Sequence, residues 1–102
     1  DYDCSKGALR NLTSTLALEL APLRINVNNL APGIMLSPFN HPAIDDPDML
    51  AKQVKSTPFK RAAAPAQIAR LAVFLASSDA DSVTGSTYVM DGGLMQNLGQ
   101  SA

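Results

Sequence analysis

Tyr2 and Lys6 stand four residues apart at the head of a helical pattern. With about 3.6 residues per turn, that spacing projects both from one face. An ammonium one turn from a phenol stabilises the phenolate, so the pairing predicts a tyrosine whose pKa is lowered toward neutrality. A phenol tuned in this way donates or accepts a proton at a carbonyl or alcohol oxygen. Taken alone, the pair reads as an exposed Tyr/Lys neighbour on a helix.

A second feature is Asn28-Asn29-Leu30-Ala31-Pro32-Gly33, followed by Ile34 and Ser37. Gly33 after Pro32 lets the backbone leave a strand end sharply and approach a ligand closely. Ligands of open α/β sheets bind beyond the carboxyl ends of strands, where this turn falls. By itself it is an ordinary strand-to-loop turn. The third feature, Thr84-Gly85 with Asp91-Gly92-Gly93, frames a short apolar run. It reads as turn chemistry that supports the fold rather than the reaction.

The elements that must position these residues follow from periodicity. From Ser5 to Leu20 the residues Leu9, Leu12, Leu16 and Leu20 recur at helical spacing, widened by Ala8, Ala17 and Leu18. Pro22 closes that segment, because proline cannot continue the ladder. Leu23 to Ala31 is predicted as a strand, with Ile25 and Val27 alternating against Asn26 and Asn28. Asp46 as N-cap and Pro47 at the first helical position predict a short helix to about Lys55. Pro65 opens a third helix through Ser77, where Ile68, Leu71, Ala72 and Leu75 share a face. Ser86 to Met90 is the second predicted strand, ended by Asp91-Gly92-Gly93.

The rhythm helix, strand, long loop with helix, helix, strand is that of an α/β crossover unit. Two parallel strands do not build a sheet covered on both faces. The first residue is Asp, and no strand precedes the opening helix. The expectation is therefore the C-terminal part of a larger α/β domain.

Composition bounds the function. The 102 residues are 46% hydrophobic and 17% charged, as expected of a globular chain. A net charge of -1 argues against a nucleic-acid or anionic-membrane partner. No stretch approaches the roughly 20 apolar residues of a membrane span, and no secretory leader opens the sequence. One cysteine, Cys4, and one histidine, His41, exclude a disulfide framework and a Cys/His metal cage. No metal is expected, and the expected compartment is the cytoplasm.

Together the three features resemble the short-chain dehydrogenase/reductase family. The matching residues are Tyr2-x-x-x-Lys6 with Gly7-Ala8-Leu9 behind it, and Ala31-Pro32-Gly33 with Ser37 and Pro38. Ile68-Ala69, Phe74-Leu75-Ala76-Ser77, Thr84-Gly85 and Asp91-Gly92-Gly93 follow in the family's order and spacing. The wording is similar to the bacterial glucose dehydrogenase and acyl-carrier-protein reductase groups.

The resemblance implies the C-terminal part of a doubly wound, parallel-sheet, Rossmann-like fold, with residues 1–102 as one half of a dinucleotide-binding domain. It implies Tyr2 as catalytic acid/base, and Lys6 as the residue that holds the nicotinamide ribose of NAD or NADP. Pro32, Gly33 and Ile34 match the turn facing the nicotinamide carboxamide. Ser37 stands where a cofactor-bonding threonine is usual, and residues 38–60 match the substrate lid. Asn26 departs from the pattern, since an arginine is common there. The substrate implied is a small alcohol or carbonyl compound, and the assembly implied is a homotetramer using the first helix and last strand.

The family's glycine-rich phosphate loop has no counterpart among the six glycines at 7, 33, 85, 92, 93 and 99. The 102 residues alone are expected to be inactive, since hydride transfer needs an oriented cofactor. The competing expectation is a truncated, non-catalytic relative that acts as an oligomerisation or binding module. Of the remaining residues, His41 reads as solvated, and Asp45, Asp46 and Asp48 as helix capping. Lys52, Lys55, Lys60 and Arg61 read as a solvated face, while Met35, Phe39, Met49 and Phe59 suit a water-excluding lid.

Overall fold

The structure, a computed structural model, describes residues 2–35 and 47–96. Helix α1 runs over Tyr2–Leu20 and passes into a 3-10 turn at Ala21–Leu23. Pro22 stops the α-helical ladder as predicted. Arg24 then takes a left-handed conformation (φ 57°) and donates its backbone N–H to Ala21 O at 2.9 Å.

Strand β1 covers Asn29–Pro32 only, shorter than the predicted Leu23–Ala31. The reason lies in the asparagines. Asn26 Nδ2 donates to Ala80 O (3.0 Å) and Asp81 O (3.1 Å), and Asn28 Nδ2 donates to Val83 O at 2.8 Å. Asn28 Oδ1 accepts from Ser86 N at 3.2 Å, and Thr84 Oγ1 accepts from Val27 N at 3.0 Å. Short polar side chains thus substitute for ladder bonds before the strand begins.

Helix α2 spans Pro47–Lys55 and α3 spans Pro65–Ala76, as their prolines predict. The proposed N-cap of α2, Asp46, lies outside the described residues. Gln67 Oε1 reaches back to Ala64 N at 2.9 Å, which satisfies one donor at the head of α3. At its end, Ser77 N and Oγ both donate to Phe74 O, and a 3-10 turn follows at Ser78–Ala80. Strand β2 is Thr87–Met90, and a last 3-10 turn is Leu94–Gln96.

β1 and β2 pair as a two-stranded sheet. Asn29 N donates to Ser86 O (2.9 Å), and Gly33 N donates to Met90 O (3.2 Å). The register advances equally on both strands, so they run parallel.

Two compact units are formed, Asp1–Leu30 with Ala72–Tyr88 and Ala31–Leu71 with Val89–Ala102. In the first, the buried residues are Thr13 and Ala17 of α1 together with Ala80. Of the leucine stripe on α1, Leu16 and Leu20 are half-buried, while Leu9 and Leu12 are 48% and 49% exposed. Small residues win this face because Gly85 comes close: a Cβ there would lie 3.4 Å from that of Ala17. In the second unit, Met35 and Ala63 form an isolated parallel bridge, and Thr57 is buried. Among the described residues no helix is long and apolar enough to cross a membrane.

Candidate functional site

Tyr2 opens α1, and Lys6 follows one turn later with its side chain exposed. The helix therefore places both positions on one face, as their spacing predicts. Both belong to the first unit, where the Thr13–Ala17 face anchors α1. Thr13 Oγ1 donates to Leu9 O at 2.8 Å, so this buried hydroxyl is satisfied inside the helix.

Pro32, Gly33 and Ile34 belong to the second unit. Pro32 ends β1. Gly33 N donates to Met90 O at 3.2 Å, and Ile34 O accepts from Ala63 N at 2.8 Å, so the turn is held on both sides. Gly33 is not among the glycines with positive φ, which are Gly85, Gly92 and Gly93. A Cβ at Gly33 would meet Asp91 Cβ at 2.8 Å and Asp91 Cα at 2.9 Å. The nearness of the Asp91 backbone is enough to require glycine at this position, and no positive φ is involved. Asp91 follows directly on β2, which lies beside β1 in the sheet yet far along the sequence.

Asp91 is the residue that sequence reasoning placed in a turn and left there. Its Oδ1 accepts from Gly93 N and its Oδ2 from Met95 N, both at 2.9 Å. Gly92 (φ 64°) and Gly93 (φ 92°) are left-handed and closely backed. A Cβ at Gly92 would stand 2.9 Å from Thr57 Cγ2, and one at Gly93 3.0 Å from Pro58 Cγ. Phe59 N also donates to Gly92 O at 3.1 Å. The Asp-Gly-Gly signal in the sequence announces a turn, while only packing reveals what lies against it.

An open cavity of about 340 Å³ lies in the second unit, lined by Ile34, Phe59, Arg61, Gln67, Met90 and Asp91 among others. Phe59 is largely exposed, and the Arg61 guanidinium sits 5.4 Å from its ring centroid, an arrangement that attracts a cation to the ring face. Lys60 Nζ donates to Lys55 O at 2.6 Å and closes the end of α2. Two of the four cations expected to be merely solvated thus have specific partners. Ser37, His41, Pro38, Phe39 and Asp45 lie outside the described residues.

Lys6 is exposed in the first unit, and in the second unit Ile34 lines the open cavity.

A family model described as "Enoyl-(Acyl carrier protein) reductase" matches residues 1–95. The chain is 43% identical over 93 residues to glucose 1-dehydrogenase of Gluconobacter oxydans, covering 91% of this chain and 35% of that protein. A short chain dehydrogenase family protein of Francisella tularensis superposes with a TM-score of 0.85 at 32% identity, over 93% of this chain and 43% of that one. The RhlG/NADP active-site complex of Pseudomonas aeruginosa does so with a TM-score of 0.85 at 38% identity, over 91% and 38%. The chain thus spans roughly two fifths of the length of these proteins. With parallel β1 and β2, helices between them and the Tyr2/Lys6 pair at the head of α1, it belongs to the short-chain dehydrogenase/reductase family and has the α/β fold of a Rossmann-type segment.

Proposed function

We propose that this chain carries the proton-transfer end of an NAD(P)-dependent oxidoreductase that interconverts a small alcohol and a carbonyl compound. The observation that carries this reading is the placement of Tyr2 and Lys6 one turn apart on α1, in a chain of this family. In the reducing direction the Tyr2 phenol gives its proton to the carbonyl oxygen, and in the oxidising direction the phenolate takes the proton of the alcohol. Lys6 favours the phenolate by charge and offers N–H donors to the ribose hydroxyls. Pro32, Gly33, Ile34 and Ser37 border the nicotinamide. The bound dinucleotide supplies or accepts the hydride. NADP stands in the Pseudomonas relative, and NAD or NADP is the cofactor proposed here.

Residues 38–60 are the proposed substrate lid, and the 102 residues by themselves are proposed to be inactive. The proposed assembly is a homotetramer in the cytoplasm. The exposed, unpaired thiol of Cys4 supports a reducing compartment.

The test is Tyr2→Phe in the encoded protein. Removing the proposed proton donor should lower kcat by about 10²- to 10⁴-fold. Binding of NADH or NADPH, followed by nicotinamide fluorescence, should stay within about twofold. Turnover retained within tenfold of the parent sinks the reading.

A further inference from the structure

We propose that Asp91 is a positioning residue for the dinucleotide, acting through the turn at Pro32-Gly33-Ile34. The inference rests on the oxidoreductase reading above and deepens it. Both carboxylate oxygens of Asp91 are occupied inside the second unit, one by Gly93 N and one by Met95 N. Charge-assisted bonds of this kind fix a turn more firmly than neutral ones. The backbone so fixed is the surface on which Gly33 rests, with room for no side-chain atom between them. Gly33 N meanwhile donates to the neighbouring Met90 O.

The same turn carries a second load. Gly92 O accepts from Phe59 N, and Gly92 and Gly93 leave just enough space for Thr57 and Pro58. Ala63 N holds Ile34 O from the side of that same segment. Asp91 therefore secures one turn that backs Gly33 directly and also backs the chain leading to Ala63, which holds Ile34. No other described side chain donates to or accepts from the 91–95 turn at two of its backbone amides. A displacement of the Asp91 backbone by a fraction of an ångström is transmitted to Gly33, because close-packed neighbours leave no slack. Misplacement on that scale in groups that orient a reactant costs binding and rate together.

The experiment compares Asp91→Ala and Asp91→Asn with the parent in the encoded protein. Alanine removes both acceptors. Asparagine keeps one and turns an N–H toward Met95 N. The readouts are the dissociation constants of NADH and NADPH by fluorescence, the KM for dinucleotide and for substrate, and thermal stability. The alanine variant should bind dinucleotide about tenfold more weakly, the equivalent of one lost charge-assisted bond. The asparagine variant should fall between it and the parent. The KM for substrate should move by less than about twofold. A turn that serves stability alone would lower the melting temperature while the folded fraction bound dinucleotide like the parent. That result overturns the proposal. Should the alanine variant not fold, asparagine decides: parental dinucleotide affinity sinks the proposal, and weakened affinity with parental substrate KM supports it. A parent protein that binds neither NADH nor NADPH would instead bring down the oxidoreductase reading itself.

Discussion

Thr57 carries a hydroxyl that has no hydrogen-bond partner although the residue is only 2% exposed. Its Cγ2 faces the space that a side chain at Gly92 would fill, so the methyl is well packed while the hydroxyl is desolvated without compensation. An unsatisfied buried hydroxyl is destabilising, and replacing it by an isosteric methyl removes that cost. Thr57→Val should therefore raise stability by about 1 kcal/mol, read as a higher urea midpoint at constant m. A lower midpoint would mean that the hydroxyl has a partner. Gly33 obeys the opposite logic. Its missing side chain is already replaced by the Asp91 backbone, so any enlargement must move a neighbouring strand end.

At the scale of elements, the segment before β1 is held by side chains rather than by a ladder. Asn28 is the central piece, since it accepts from Ser86 N and donates to Val83 O across the turn that Thr84-Gly85 makes. Gly85 N closes the same turn on Val27 O at 2.8 Å. Asn28→Ala strands a part-buried N–H and a part-buried carbonyl, which should cost about 2 kcal/mol. Thermal denaturation of the variant checks this, and loss below 0.5 kcal/mol, on the scale of an ordinary surface change, would show that water replaces both bonds. Asn26 makes two bonds to carbonyls in a more exposed setting, so its removal should cost less.

On the scale of the molecule, the apolar residues outnumber those that are covered. Ala17 and Ala80 are the buried apolar residues among those described, whereas Leu9, Leu12, Leu18, Val73 and Phe74 are exposed. The proposed homotetramer predicts a sedimentation-equilibrium mass of four polypeptides for the encoded protein. A monomer at micromolar concentration would overturn it.

Much of this was legible from residue order. The helix boundaries at Pro22, Pro47 and Pro65 were readable because proline acts through its own ring and missing N–H, a local cause. The Tyr2/Lys6 juxtaposition was equally local, being fixed by helix pitch. The start of β1 was not legible, because Asn28 finds its partners more than fifty residues away. Nor was the crowding at Gly33, whose vacant position is filled by Asp91 from the turn after β2. The sequence by itself determined the family, the helices and the one-turn spacing of Tyr2 and Lys6. Tertiary structure alone decided which small residues are buried and which turn backs another, because those depend on volumes brought together from distant parts of the chain.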